Sequence, residues 1–150
     1  VYNMAKLTGE LEDLSKSIDK KNAITLFSVP SVNKNIPINE IYKNTYKFTD
    51  FIEKVVGDKY NSLKDYFANM EDKGRSFLYK LMHLVKNSNE KINIARLAYT
   101  LARAKPKSED KDKEVLFKIF AEKIFTWIQN DEDRKQLITA IELYGYYSRI

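Results

Sequence analysis

The chain has 150 residues, 43% of them hydrophobic, which is enough for one domain with a real core. Its 26 basic and 21 acidic residues are interspersed and give a net charge of +5, which permits an anionic partner without requiring one. The absence of cysteine excludes disulfides and thiolate metal sites, and a single histidine argues against a histidine-based metal site or a Ser–His triad. No apolar run approaches the ~20 residues of a membrane span.

The first predicted elements are a helix and a strand. Apolar residues recur at steps of three and four over residues 3–19, which is typical of one face of an amphipathic helix. Residues 24–29 form a short apolar run rich in β-branched and aromatic side chains, and Pro30 ends it, which predicts a strand. Because a single strand does not make a sheet, its partners are expected upstream of Val1 or on another chain, as in a piece of a larger protein.

Residues 30–48 contain two prolines and four asparagines, which favour an irregular connection with a second short strand as an option near residues 46–48. The domain boundary is placed here. From Thr49 onward the pattern predicts six short helices: Thr49 caps the first, Gly57 closes it, Pro106 ends the fourth and Asn130 caps the sixth. The predicted fold class is mainly α, a compact bundle of about six helices preceded by a helix–strand unit of an α+β sheet domain.

The fourth helix, KINIARLAYTLARAKP at residues 91–106, looks apolar around about two-thirds of its circumference, which is typical of a helix at the centre of a bundle. Two interpretations of its arginines stay open. They extend from a mostly buried helix to pair with acids of neighbouring helices, or they line a surface that faces RNA, a nucleotide or a partner subunit. The apolar stripes contain Ile94, Leu97, Ala98 and Leu101, and Ile92, Ala95, Tyr99 and Ala102; the polar stripe contains Asn93, Arg96, Thr100 and Arg103.

The start of the third helix is the best candidate for anion binding. Lys73 and Arg75 flank Gly74 there, where free backbone N–H groups and the helix dipole favour a phosphate. Gly74 permits close approach of a ligand, Ser76 offers a hydroxyl, and Lys80 lies one turn further on. The spacing of a Walker loop is absent. The alternative is that these basic residues stand at a helix start by chance.

Other polar and aromatic residues favour structural roles. His83, between two apolar residues of the third helix, is expected to be partly buried rather than a ligand. The helical spacing of Tyr144 and Tyr147 predicts that they lie in the core and at its rim. The alternative is that they and Tyr146 stack on bases of a nucleic acid. The acidic pairs resemble solvated caps and loops, and nothing predicts the converging carboxylates that metal chemistry needs.

The stretches KKNAITLF, SFLYKLM, KINIARLAYTLARAKP and DRKQLITAIELYGYYSRI occur in this order. In this they resemble the C-terminal end of the Cas10-type large subunit of type III-A CRISPR effector complexes. The resemblance spans nearly the whole chain and depends on extended stretches rather than on a catalytic motif. It implies that residues 1–48 are the last helix and strand of a ferredoxin-like palm domain. Residues 49–150 are then a helical C-terminal domain similar to the small subunits of such complexes.

The resemblance implies a parent protein that makes cyclic oligoadenylates from ATP once target RNA binds, and that cleaves single-stranded DNA. The Gly-Gly-Asp-Asp motif and the HD pair of that family are absent from this chain, so ATP and divalent metal are expected in the parent protein, and no metal or catalytic residue is expected here. In this family the helical domain borders the nucleotide pocket. Lys73, Arg75 and Lys80 are therefore expected to meet the phosphates of ATP.

The implied partners are other effector-complex subunits, especially the small subunit, together with guide RNA and target RNA, in the cytoplasm and without a membrane. Two alternatives stay open. One is a stand-alone helical small subunit that binds RNA backbone and protein neighbours without catalysis, and the other is an unrelated helical interaction domain. The unpaired strand argues against the first alternative, because a free-standing subunit has no use for it.

Overall fold

A helix and two short strands form the N-terminal part of the fold. The computed structural model describes residues 2–17, 22–26, 44–70, 73–88, 90–106 and 110–148. Helix α1 spans Tyr2–Ser17, strand β1 spans Ala23–Thr25 and strand β2 spans Thr45–Lys47. The helix predicted over residues 3–19 is confirmed as far as Ser17. The optional second strand is present one residue earlier than expected, and the end of the first predicted strand lies outside the described residues.

Strands β1 and β2 pair with each other in an antiparallel ladder, in which Ile24 lies opposite Tyr46. The hydroxyls of Thr25 and Thr45 lie 2.9 Å apart across the pair, and α1 packs against β1. The prediction that the partners of the first strand lie outside this chain is therefore wrong for β2. Strands of three residues are too short to display the alternating pattern that identifies a strand in a sequence.

Five helices follow β2 within the described residues. Helix α2 consists of three consecutive segments, Phe48–Asp50, Phe51–Tyr60 and Asn61–Asn69, and is followed by α3 (Arg75–Lys86), α4 (Lys91–Ala104), α5 (Lys111–Trp127) and α6 (Asp131–Tyr147). With α1 the described residues contain six helices, which confirms the predicted mainly α fold class. Five of these helices, not the predicted six, follow β2, because the first two predicted helices form the continuous helix α2. None of the helices in these residues has the length and apolar character that a membrane crossing needs.

Helix α2 continues through the position where a break was predicted. The backbone is right-handed helical at both internal junctions, with φ/ψ of −62°/−37° at Asp50 and −64°/−39° at Asn61. The middle segment is π-helical, and a Cβ added at Gly57 would lie 3.1 Å from the carbonyl oxygen of Ile52. Gly57 therefore accommodates a wide turn instead of ending the helix. Thr49 lies inside the first segment and does not cap it.

Aromatic side chains dominate the core of the bundle. Tyr66 of α2 is fully buried, and its ring stacks on Phe120 of α5 with centroids 3.9 Å apart. Phe67 meets the same tyrosine edge-on at 5.4 Å. The residues of α3 predicted to face inward are buried, apart from the half-buried Phe77; the buried ones are Leu78, Leu81, Leu84 and Val85.

Helix α4 lies at the edge of the bundle, packed mainly against α3. Its buried face contains Asn93 and Thr100, both assigned to the polar stripe, at 6% and 7% exposure. Ile92 and Tyr99, from the second apolar stripe, are 55% and 61% exposed. The prediction of a central helix is therefore wrong. Periodicity misassigned the inner face because a polar side chain with a local partner can be buried: the Asn93 amide donates to the Glu90 carboxylate at 3.0 Å.

Tyr46 attaches the small sheet to the bundle. Its side chain is 3% exposed, and its hydroxyl lies 2.7 Å from the hydroxyl of Thr139 in α6. Burial raises the pKa of the Tyr46 phenol, because desolvation disfavours the phenolate. The strand leads directly into α2 at residue 48. The division into two domains at that residue stays a prediction.

Candidate functional site

An open groove of about 420 Å³ lies where the start of α3 meets the C-terminal half of α4. Three cationic side chains line it, those of Lys73, Lys80 and Arg103, and no carboxylate of the described residues does. The wall is completed by Gly74, Ser76, Phe77, Thr100 and Ala104. This basic groove is therefore a place where an anionic group would meet several positive charges together.

The start of α3 adds to the positive potential of the basic groove. Across the part of the chain that is described, no side chain caps this helix, and its first turn holds no acidic residue. The first N–H groups of a helix lack partners within the helix and mark its positive end. Gly74 precedes the helix in an extended conformation, with φ −91° and ψ −173°, and an added Cβ would meet nothing within 4 Å. The fold thus does not require glycine here, and its role in close approach of a ligand stays a prediction.

Arg75 is placed differently from Lys80. Its guanidinium donates to the main-chain oxygen of Ser148 at 2.7 Å, beyond the end of α6. It lines a smaller cavity of about 150 Å³ that Lys73 also borders, together with Tyr144. The three cations predicted to act together are therefore divided between two cavities, with Lys73 at both. Phosphate contact by any of them stays a prediction.

The two arginines of α4 also differ. Arg103 lines the basic groove, with its guanidinium 5.7 Å from the ring centre of Tyr99. Arg96 is exposed and lies 3.4 Å from the amide oxygen of Asn93 on its own helix. Neither contact is the ion pair with a neighbouring helix that one interpretation expected. The groove thus contains one of the two arginines, and periodicity alone did not indicate which.

Thr100 is the residue of this site that sequence reasoning missed. It is 7% exposed and lines the basic groove. Its hydroxyl is not one of the fully enclosed side-chain atoms that lack a hydrogen-bond partner, so it faces the open groove. The sequence carried no signal for this, because Thr100 had been placed with exposed polar residues.

The other candidate residues do not form a site. His83 is exposed, so the prediction of a partly buried histidine is wrong; it lies on the outer side of α3. Tyr144 is half-buried and stacks on Phe67 at 5.1 Å, while Tyr147 is 59% exposed, which confirms their core and rim positions. Burial raises the pKa of the Tyr144 phenol. Tyr146 is also exposed.

Acidic residues contribute to a second groove of about 470 Å³ between the end of α3 and the start of α6. Its lining mixes both signs of charge: Asn44, Lys86, Asp131, Glu132, Arg134, Lys135 and Ile138. Such a surface satisfies its own charges and does not select an anion. Among the residues with described positions, no three His, Cys, Asp or Glu side chains are grouped so that they could hold a metal ion.

Lys59 is a second feature absent from the sequence reasoning. It lies in the π-helical segment, is 2% exposed and donates to the Asp133 carboxylate at 2.9 Å. Its ammonium also lies 5.2 Å from the ring centre of Trp127. This buried cation joins α2, α5 and α6, and it does not reach the basic groove. No sequence signal distinguishes it from the exposed lysines nearby.

The fold and the basic groove define the class of this protein, a helical bundle domain with a strongly basic groove at one edge. Residues 64–150 match the family model described as the second helical domain of the Cmr2 subunit of the CRISPR RNA silencing complex. Since the match covers more than half of the chain, the chain belongs to this family. All residues of the basic groove lie within the matched range.

Curated relatives extend the match to almost the whole chain. One relative is a protein of Streptococcus thermophilus that is named as the single-strand-specific deoxyribonuclease Cas10/Csm1 of a subtype III-A CRISPR system. It is 39% identical in an alignment of 149 residues, and the match covers 97% of this chain and 18% of that protein. Proteins of the same name from Mycobacterium tuberculosis and Enterococcus italicus are 34% identical over 97% and 99% of this chain, and 16% of each relative. The chain spans less than a fifth of these relatives, and the matches confirm the Cas10-type resemblance.

Proposed function

We propose that this chain is a segment of the large subunit of a type III-A CRISPR effector complex, and that it is a structural support bordering the nucleotide site and the subunit interfaces. The observation that carries the proposal is the 34–39% identity to Cas10/Csm1 proteins over nearly the whole chain. The whole protein then cleaves single-stranded DNA, as the names of the relatives state for them. It also makes cyclic oligoadenylates from ATP when target RNA binds, as the resemblance implies.

In this proposal the bundle meets the phosphates of ATP with Lys73 and Lys80, and with Arg75 from the neighbouring cavity. A triphosphate carries several negative charges, and charge-assisted hydrogen bonds from lysine and arginine suit it. The described residues contain no group of acids that could hold a divalent metal. The proposal assigns to the described residues only binding and positioning of the phosphates.

One observation supports the alternative that the chain is a stand-alone small subunit. Because β1 pairs with β2 inside the chain, the first strand no longer demands a sheet elsewhere. Against it stand the relatives, whose similarity covers 97–99% of the chain and so includes the helix and strands that precede the bundle. The large-subunit proposal accounts for both parts of the chain.

The experiment that tests the proposal is reconstitution of the full-length protein with guide RNA and the other effector subunits of its own organism. We expect it to co-purify with the guide RNA and to make oligoadenylates from ATP only when a matching target RNA is added. Purification without guide RNA or other subunits would contradict the proposed place in an effector complex. Co-purification without any oligoadenylate product would favour the non-catalytic small subunit.

A further inference from the structure

We propose that the basic groove is a phosphate-binding site completed by α4, in which Arg103 supplies a charge and Thr100 a hydroxyl. The ligand class is a polyphosphate, such as the phosphate chain of a nucleotide. Only the identity of the ligand as a nucleotide depends on the proposed function. The phosphate chemistry follows from the groove itself.

The Thr100 hydroxyl offers a donor from α4. The residue is 7% exposed and lines the groove. Its hydroxyl is not one of the fully enclosed side-chain atoms that lack a hydrogen-bond partner, so it faces the open groove, where water or a ligand oxygen can pair with it. A phosphate oxygen in the groove would accept a hydrogen bond from this hydroxyl.

The charges around the groove select an anion. Lys73, Lys80 and Arg103 line it from two helices, and the start of α3 adds the partial positive charge of its free N–H groups. The C-terminal end of α4 carries a partial negative charge. The full positive charge of Arg103 is larger, so this end of α4 is also positive overall. Among the described residues no carboxylate lines the groove, so none of them repels an anion there.

Arg103 is held in place for such a contact. The ring of Tyr99, one turn earlier on α4, lies below the guanidinium at 5.7 Å, and the phenol oxygen is 3.5 Å from the Nη1 atom. Tyr99 is therefore a positioning residue. Because a guanidinium has five N–H donors, this arrangement leaves donors for a phosphate.

Arg75 has a separate role in this account. Its hydrogen bond to the Ser148 carbonyl oxygen ties the start of α3 to the end of α6. This contact fixes the helix start that forms one wall of the groove. Within the groove we therefore assign contact with the phosphate to Arg103 and Lys80. Arg75 positions the helix start and is left with the ATP contact proposed for the neighbouring cavity.

The test is hydrogen–deuterium exchange of the full-length protein titrated with tripolyphosphate in the absence of divalent metal. Backbone amides at residues 73–80 and 97–104 report on the groove. We expect them to gain protection, with a midpoint that rises about tenfold in Lys80→Gln and Arg103→Gln and about fivefold in Thr100→Val. Arg96→Gln is the matched control on the same helix, since Arg96 lies outside the groove, and should behave like wild type.

Absence of local protection at millimolar tripolyphosphate would overturn the proposal. So would an Arg96→Gln midpoint that rises as much as that of Arg103→Gln, because the binding would then reflect diffuse charge. Unchanged exchange of α5 without ligand verifies that each variant is folded. If the groove is protected in a complex that makes no oligoadenylates, the phosphate site stands and the proposed function is refuted. If the complex makes oligoadenylates without protection of the groove, the proposed function stands and the phosphate site is refuted.

Discussion

At the scale of single residues, two lysines of α2 show how burial decides the worth of an ion pair. Lys59 lies 2.9 Å from Asp133, and Lys54 lies 2.8 Å from Asp50. The side chain of Lys59 is 2% exposed and that of Lys54 is 55% exposed. Exposed pairs contribute little to stability, whereas truncation of a buried side chain such as that of Lys59 is costly.

We expect Lys59→Ala to lower the free energy of unfolding by about 2 kcal/mol, because it removes a buried side chain and leaves a cavity. Lys54→Ala is the matched control on the same helix and should leave the free energy of unfolding nearly unchanged. Urea denaturation at neutral pH measures both variants. Equal effects of the two substitutions would contradict the burial argument.

Tyr46 gives a prediction about pH. Burial raises its pKa in the folded state, whereas the unfolded chain has the ordinary value of about 10. The stabilisation by the neutral phenol is complete below pH ~10 and is lost as the pH rises above it, because the unfolded state then releases the proton first. In Tyr46→Phe the stability does not fall in alkali through ionisation of this phenol, but the hydrogen bond to Thr139 is missing at every pH.

Tyr46→Phe should therefore be less stable than wild type by about 1 kcal/mol at pH 8, and this difference should shrink above pH ~10. Urea denaturation across that pH range is the measurement. The exposed Tyr147→Phe serves as the control and should follow the wild-type profile. A difference for Tyr46→Phe that stays constant or grows in alkali would show that the phenol is not protected by burial.

At the scale of elements, Gly57 of α2 and Gly145 of α6 occupy different surroundings. A Cβ at Gly57 would lie 3.1 Å from the Ile52 carbonyl oxygen, while a Cβ at Gly145 would lie 3.5 Å from a terminal methyl of Leu78. The first contact is tight and involves backbone, and the second is an ordinary van der Waals contact. Helix propensity favours alanine equally at both positions.

We therefore expect Gly145→Ala to raise the free energy of unfolding by about 0.5–1 kcal/mol. Gly57→Ala should lower it, because the π-helical turn must shift to relieve the contact with a backbone oxygen. Thermal and urea denaturation of the two variants test this. Stabilisation by Gly57→Ala would mean that the segment relaxes readily to an α-helix.

The helix starts provide a further comparison. Asn130 caps α6, and its side-chain oxygen accepts from the N–H groups of Glu132 and Asp133 at 2.8 and 3.2 Å. Thr49 lies inside α2 and caps nothing. We expect Asn130→Ala to cost about 1 kcal/mol of stability and Thr49→Ala to cost much less, as measured by urea denaturation. The reverse order would place the start of α2 at Thr49.

Elements were predictable from the sequence where local chemistry decides them. The cap at Asn130 and the inward face of α3 follow from residue type and spacing. The break at Gly57 was mispredicted because a glycine that ends a helix and a glycine that admits a π-helical turn look alike in sequence. The inner face of α4 was mispredicted because Asn93 is buried with a local hydrogen-bond partner and Thr100 is buried where α4 packs on α3, and periodicity considers neither.

At the scale of the whole molecule, the candidate site results from the packing of α3 against α4. Lys73 and Lys80 could be grouped from the sequence because Lys73 stands just before α3 and Lys80 in its second turn, and helix starts in general favour anions. Thr100 and Arg103 join them only through tertiary contact, so the sequence left Arg103 equivalent to Arg96. The same applies to the pairing of β1 with β2, whose strands are separated by a long connection.

The central claim is that this helical bundle borders the nucleotide site through its basic groove. The most direct measurement is the apparent KM for ATP in oligoadenylate synthesis by the assembled complex with target RNA. The account predicts that Lys80→Gln raises this KM about tenfold, as expected for the loss of one charge-assisted contact, and that Arg96→Gln leaves it unchanged. Identical KM values for wild type and Lys80→Gln would contradict the account.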